Sequence, residues 1–366
     1  MDFSHVELSD EDRAFQDELR TFLAEVVTDE VIKRDRETGE NFDEAVHLAL
    51  GKAGYLAGDY QAEANGGFSA VRRRIWELEV GRAHTPWFHW GTTAMVAHTV
   101  EKFASAELLD EVLPGVLDGR LRLCLGYTEP EGGSDVATCK TRAVRETDGS
   151  WIINGSKMFT TGAHNCQYVF LITNTDPDAP KHKSLTMFLV PLDTPGVEIQ
   201  PIRTVDGDRT NITYYSDVRI SDRYRVGEVN GGWTVLRGAL ELEHGTFERE
   251  TRGLQKLATM TEHINLMAEA VDRVAAVAPA DAASRYRLGR GIARLEAALS
   301  SPDMYGRVAI AQTMREVSPD LMDIVGSAGA LPVGTDGAAD DGGAEYIFRL
   351  AGPTGIYGGT LEVFRN

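Results

Sequence analysis

Leu123-Cys124-Leu125-Gly126-Tyr127-Thr128-Glu129-Pro130-Glu131-Gly132-Gly133-Ser134-Asp135 is the stretch on which the reading of the chain turns. An apolar, strand-like run breaks at Thr-Glu-Pro, and two glycines then lead to a hydroxyl and a carboxylate. Pro130 fixes its own φ and biases Glu129 away from helix. Gly132 and Gly133 permit positive φ and let backbone N–H groups come close to a ligand. Taken alone, a Gly-Gly-Ser is a surface turn between strands.

On the N-terminal side of this stretch the pattern is helical. Ser9 with Asp12 is a capping-box-like start, and Phe15, Leu19, Phe22, Leu23 and Val26 then share one helical face. Further helices are expected over 44–52, 70–81, 92–103 and 106–113, with Gly119 closing the run. From Leu121 to about Val226 the texture changes to short runs of β-branched and aromatic residues punctuated by Gly, Pro and Asn. Strands are expected over 122–127, 141–146, 150–157, 168–174, 185–191, 197–202 and 212–220, as in a small antiparallel barrel or sandwich. From Gly231 the pattern is helical again. Residues 233–278 hold no proline, and helices are expected over 282–300 and 303–317, with another leading into Gly326. Residues 335–343 read as a flexible acidic insertion. The domain expectation is therefore helical over 1–121, β over 122–226 and helical over 227–366, an α+β chain.

The chain has 366 residues, enough for two or three packed domains, and a formal charge of −19. That charge speaks against a nucleic-acid surface, since no basic excess is present to offset phosphates. Cys124, Cys139 and Cys166 are few, widely spaced and without metal-ligand spacing, so no metal is expected. Reduced thiols, an acidic N-terminus unlike a targeting segment, and no apolar run near ~20 residues predict a cytoplasmic protein without membrane insertion.

Two more stretches give the opening one its meaning. Asn154-Gly155-Ser156-Lys157-Met158-Phe159-Thr160-Thr161-Gly162 sets an aromatic residue two places before a hydroxyl, and Ile356-Tyr357-Gly358-Gly359-Thr360 lies near the end. With Thr128-Glu129-Pro130 and Gly133-Ser134-Asp135, these resemble the acyl-CoA dehydrogenase family, whose order is also helical, β, helical. The resemblance implies FAD. It carries cofactor contacts onto Leu125, Tyr127, Thr128, Gly133 and Ser134, and onto Phe159, Thr160 and Thr161. Near the C-terminus it carries them onto Thr360 and Glu362. Phe159 stands where the family more often has Trp.

The same resemblance implies α,β-dehydrogenation of an acyl-CoA thioester, with a glutamate removing the α-proton and hydride passing to the flavin. Most members carry that glutamate where this chain has Gly358, which cannot accept a proton. A minority place it on the first long C-terminal helix, in a Leu-Asp-Leu-Glu context, and this chain has Leu240-Glu241-Leu242-Glu243 there. Glu243 is thus the candidate base and, with Ser134, a candidate substrate contact. Glu241 lies about 200° around the helix and faces elsewhere. His244 stands where the family usually has Arg.

Two departures bear on partners. The family's Arg-x-x-Phe-Gly is replaced by Arg249-Glu250-Thr251-Arg252-Gly253-Leu254-Gln255. Its Gln-Ile-x-Gly-Gly-x-Gly loop appears as Asp323-Ile324-Val325-Gly326-Ser327-Ala328-Gly329. With Gly358, these resemble the paired actinobacterial dehydrogenases that act on steroid side-chain CoA esters as α2β2 assemblies. A second dehydrogenase-like subunit, a bulky acyl group and an electron-transfer flavoprotein or similar acceptor are the implied partners. Alternatives of the same fold are a non-catalytic partner subunit and a flavin monooxygenase.

Overall fold

The computed structural model describes residues 7–244, 255–301 and 303–365; for Phe88 and residues 241–244, 255–262, 303 and 304 it describes the backbone alone. Seven helices come first: α1 (Asp10–Val26), α2 (Asp29–Thr38), α3 (Glu44–Lys52), α4 (Tyr55–Tyr60), α5 (Ala70–Arg82), α6 (Phe88–Phe103) and α7 (Ala106–Leu117). Eight strands follow: β1 (Leu123–Gly126), β2 (Arg142–Arg145), β3 (Trp151–Lys157), β4 (Tyr168–Asn174), β5 (Leu185–Pro191), β6 (Val197–Arg203), β7 (Arg209–Ile220) and β8 (Arg225–Val226). Among the described residues, six helices follow the strands: α8 (Gly232–His244), α9 (Gln255–Val277), α10 (Ala282–Leu299), α11 (Asp303–Val325), α12 (Gly343–Thr354) and α13 (Leu361–Arg365).

The order helical, β, helical is the expected one. Ser9 caps α1 as read, its hydroxyl accepting the Asp12 N–H at 3.1 Å. The strands form one sheet in the order β6-β7-β3-β2-β4-β5-β8, with β1 beside β4. Antiparallel pairing holds for β2·β3, β3·β7, β4·β5, β5·β8 and β6·β7. The sheet is nevertheless mixed, because β1·β4 and β2·β4 are parallel.

Residues up to Arg203 together with Asp208–Leu242 form one compact unit, and Thr204–Gly207 with Glu243 onward form a second. In the first unit β4 and β5 are buried on both faces of the sheet, so they are apolar without alternation. Phe170, Ile172, Leu185 and Met187 pack with the helical core around Leu19, Trp76, Trp90 and Val100. Val169, Leu171, Phe188 and Val190 turn the other way, onto Cys124, Ile153 and Val218. Each such side chain contributes about 1.5–3 kcal/mol of burial. In the second unit, Met267, Val271 and Val274 of α9 pack on Leu295 of α10, Met314 and Leu321 of α11, and Ile347 and Leu350 of α12.

Three local expectations are corrected. α7 runs through Pro114 to Leu117, and α11 runs through Pro319 to Val325 instead of stopping at 317. In both, the buried stripe continues past the proline: Val112 and Val116 in α7, and Val317, Leu321 and Ile324 in α11. The lost intrahelical bond is outweighed by that burial. Residues 335–343 are not simply a polar insertion either. Asp340, in left-handed backbone at φ 47°, accepts the Ala344 N–H at 2.8 Å and caps α12.

Candidate active site

β1 delivers the Thr-Glu-Pro segment. Its last residue must be glycine, since a Cβ on Gly126 would sit 2.8 Å from the Leu171 side chain and 2.9 Å from Val169. Leu125 before it and Tyr127 and Thr128 after it are half-buried, while Gly133, Ser134 and Asp135 are exposed. The turn closes on itself through Glu129 N–H to Gly132 O at 3.0 Å and Gly132 N–H to Glu129 O at 3.1 Å. Neither Gly132 nor Gly133 uses positive φ. Gly132 is needed for space instead, because a Cβ there would meet Thr138 Oγ1 at 2.8 Å. Asp135 pairs with Lys181, whose ammonium holds its carboxyl below the usual range.

The Thr-Glu-Pro glutamate turns inward. Glu129 accepts from Lys157 Nζ at 2.7 Å, Thr141 N at 2.8 Å, Thr141 Oγ1 at 2.7 Å and Lys140 N at 2.7 Å. Burial would raise its pKa. The Lys157 ammonium and these donors outweigh burial and hold it at about 2. Lys157 is fully buried at the end of β3, and it also donates to Tyr127 O at 3.3 Å. Met158 N–H donates to Thr128 O at 2.8 Å. These bonds join the 127–134 segment to the 158–161 turn.

That turn presents an aromatic ring. Phe159 has left-handed backbone, φ 56°, and its side chain is half exposed. For a bulky residue this costs of order 1–3 kcal/mol and is held by its surroundings. Thr161 is half-buried, its hydroxyl 3.0 Å from that of Thr210. One such bond leaves a hydroxyl further capacity toward a ligand. Thr160, another expected contact, is fully buried, its hydroxyl 3.3 Å from that of Thr213 and its N–H on Asn211 O at 2.8 Å. It fixes the turn; the exposed positions are its neighbours'.

Gly162 follows at φ 78°, and a Cβ there would lie 2.7 Å from the His89 ring. Gly162→Ala is expected to destabilise the first unit by about 1–3 kcal/mol, read as a lowered urea midpoint at unchanged slope. An unchanged midpoint would mean the turn can move away from His89.

In the second unit, Thr360 is half-buried ahead of α13, its hydroxyl accepting from Val363 N at 3.4 Å, and Glu362 is exposed. The Glu362 backbone N–H, and then the Thr360 hydroxyl, draw that carboxyl below its usual range. Gly358 and Gly359 take φ 63° and 101°. The segment is anchored by Tyr357, which donates to His263 Nδ1 at 2.8 Å and whose carbonyl accepts from Arg307 Nη2 at 2.7 Å. Burial, with Arg307 nearby, pushes His263 down to about 4, so it accepts as a neutral ring. Asp323 bonds Arg287 Nη1 at 3.2 Å. Glu243 lies in the last described turn of α8, and its side chain is outside the described residues, as is the 249–254 stretch. Sequence reasoning missed Glu129, Lys157 and His263. The only signal for the first two was their place inside the quoted segments.

Residues 9–120 match the N-terminal domain, and residues 124–220 the middle domain, of acyl-CoA dehydrogenase. FadE29 of Mycobacterium tuberculosis is 35% identical over 65% of this chain and 62% of its own length. FadE34 of the same organism is 34% identical over 68% of this chain and 33% of its own, so the chain spans less than two thirds of these two relatives. IpdE1 of Mycolicibacterium smegmatis is 33% identical over 87% of this chain and 84% of that protein. Among solved structures, the Tcur3481-Tcur3483 steroid ACAD is 30% identical, with a TM-score of 0.80 over 99% of this chain and 97% of that one. The ChsE4-ChsE5 complex from Mycobacterium tuberculosis is 25% identical, with a TM-score of 0.81 over 99% and 96%. With these matches running across the helical, β and helical parts alike, the chain belongs to the acyl-CoA dehydrogenase family.

Proposed function

We propose that this chain is the base-bearing subunit of a FAD-dependent acyl-CoA dehydrogenase that acts on a bulky thioester, of the steroid side-chain class, together with a second related subunit. The observation that carries the reading is the joined platform. The 127–134 segment and the Phe159–Thr161 turn are tied by Lys157, Glu129 and the Met158–Thr128 bond. An exposed aromatic ring on constrained backbone, in a turn bonded to Thr128 and carrying the Thr161 hydroxyl, fits a planar heterocycle that needs both stacking and hydrogen bonds, with Ser134 a further proposed contact. Thr360 and Glu362 belong to the same reading as contacts from the C-terminal segment.

Held by the residues named above, FAD would supply the acceptor for the hydride of the β-carbon. The chain's own part is to orient the acyl group and move one proton. The thioester carbonyl acidifies the α-hydrogen, and Glu243 removes it. Ser134 holds the substrate end of the cofactor segment. Water exclusion by the acyl group raises the proton affinity of the base.

Three features support a second subunit. Gly358 leaves the usual base position without a side chain, and Asp323 stands where an amide is expected and is engaged by Arg287. Both solved relatives quoted above also carry two-component names, one of them a steroid ACAD. An electron-transfer flavoprotein or similar carrier would accept the electrons. Three buried free thiols suit a reducing, cytoplasmic setting.

The test compares the chain made alone with the chain co-expressed with a dehydrogenase-like neighbour. Low FAD occupancy alone, full occupancy with the neighbour, and bleaching of flavin absorbance by a steroid side-chain CoA ester without oxygen are expected. Full occupancy and activity in a homo-oligomer would remove the partner. No bleaching in the flavin-loaded assembly by any acyl-CoA would remove the dehydrogenase reading.

A further inference from the structure

Behind the Phe159–Thr161 turn lies a polar cluster that the reaction does not use. His164 sits two residues past Gly162, largely buried, and its Nε2 meets the carboxylate of Glu40 in the loop after α2. Its Nδ1 lies 3.1 Å from Asn211 Nδ2, and that same amide nitrogen donates to Thr160 O at 3.1 Å. Asn211 in turn accepts the Thr160 N–H on its own carbonyl at 2.8 Å. Thr160 is thus gripped on both backbone groups by one residue of β7, and His164 is what the other face of that residue's side chain rests on.

The chemistry decides the tautomer. Thr160 O is a carbonyl and only accepts, so Asn211 must turn its NH2 toward it. The second N–H of that amide then points at His164 Nδ1, which must be a lone pair. The proton therefore sits on Nε2, where the Glu40 carboxylate accepts it. The Asn165 side-chain amide, 3.0 Å from the same nitrogen, can rotate to present its oxygen there. A proton on Nδ1 breaks this arrangement in either orientation of Asn211. Left as it is, N–H faces N–H; flipped, its oxygen faces the Thr160 carbonyl oxygen.

Resting on the functional reading above, we propose that His164 is a positioning residue for the flavin: as the neutral Nε2–H imidazole it keeps Asn211 on Thr160 and sets the Phe159–Thr161 turn, and protonation at Nδ1 releases that turn. The charged groups around it favour the neutral form on balance. Burial disfavours the cation, Glu40 favours it, and Arg209 of β7 and Arg203 of β6 oppose it, leaving His164 below its ordinary value of 6.5. Arg209 Nη1 is itself 3.2 Å from Glu40. His89 of α6, packed against Gly162, and Arg122 beyond it complete the set, and burial of His89 keeps that ring neutral as well. Acidification through this midpoint is therefore expected to loosen the turn that carries the exposed ring.

The test reads the ring and the flavin separately. In the flavin-loaded assembly with the co-expressed neighbour, nitrogen-15 histidine spectra should give His164 the Nε2–H tautomer and a midpoint below 6.5, and the visible circular dichroism of bound FAD should change with the same midpoint. His164→Gln offers an acceptor and a donor without a titrating proton. It should keep the high-pH flavin spectrum at every pH. His164→Ala should weaken FAD about ten-fold, the equivalent of one buried hydrogen-bonded link, and keep the low-pH spectrum. An Nδ1–H tautomer in the wild type, a His164→Gln spectrum that titrates like wild type, or unaltered FAD affinity and spectrum in His164→Ala would each overturn the assignment. A wild-type co-expressed assembly that takes up no FAD would overturn the flavin reading with it. Wild-type uptake and bleaching with unaltered variants would overturn His164 alone.

Discussion

Glu243→Gln is expected to leave FAD occupancy unchanged and to slow thioester-driven flavin bleaching by about 10²–10⁴-fold, the contribution of a positioned general base. Glutamine keeps the length and helix propensity of the residue and removes only its ability to take a proton. The expectation rests on α8 extending through this position and on Gly358 having no side chain to compete. Glu241→Gln, on another face of the same helix, should bleach at the wild-type rate. Anaerobic rapid-mixing measurements separate the outcomes. Wild-type bleaching in Glu243→Gln would assign the base elsewhere, and loss in both variants would point to helix disruption rather than proton transfer.

Glu129→Gln carries the largest expected effect on stability. It leaves the Lys157 ammonium, which has no exposed surface, without its counter-charge, and breaking a buried pair in this way costs about 3–5 kcal/mol. That is a large fraction of the ~5–15 kcal/mol that holds a domain folded. Replacing both partners, as in Glu129→Gln with Lys157→Met, should recover much of the loss, since no charge is then stranded. The pair also sets an acid limit. The folded Glu129 titrates at about 2 against an ordinary value of 4.5, so its stabilisation is complete above 4.5 and is lost as pH falls from 4.5 through 2. Urea unfolding across that window should show a steeper decline for wild type than for Glu129→Gln. Parallel declines would mean that other carboxylates dominate acid unfolding.

The sequence made some elements legible because their burial is uniform. β4 and β5 have the expected bounds, since both faces of the sheet are covered and the apolar run ends where the cover ends. It misled at prolines. The helices expected over 106–113 and 303–317 end just short of Pro114 and Pro319, yet α7 and α11 continue because their buried stripes continue. Local conformation and tertiary burial compete there, and only the neighbours reveal which wins. Thr160 sits between the half-exposed Phe159 and the half-buried Thr161, and nothing in the letters says that the turn buries its middle residue.

What the sequence determined by itself is the order of the parts and the family motifs, from which we propose the flavin contacts: Leu125–Ser134, Phe159–Thr161, and the glycine that vacates position 358. These are legible because backbone freedom, aromatic character and the absence of a side chain are properties of residues. The tertiary structure alone decided that Glu129 is buried beneath its segment rather than facing a ligand, that Lys157 is its counter-charge, and that Asn211 and His164 stand behind Thr160. Those pairings join positions 28, 51 and 47 residues apart. Their strength comes from removing the groups from water, which happens only when the sheet closes around them.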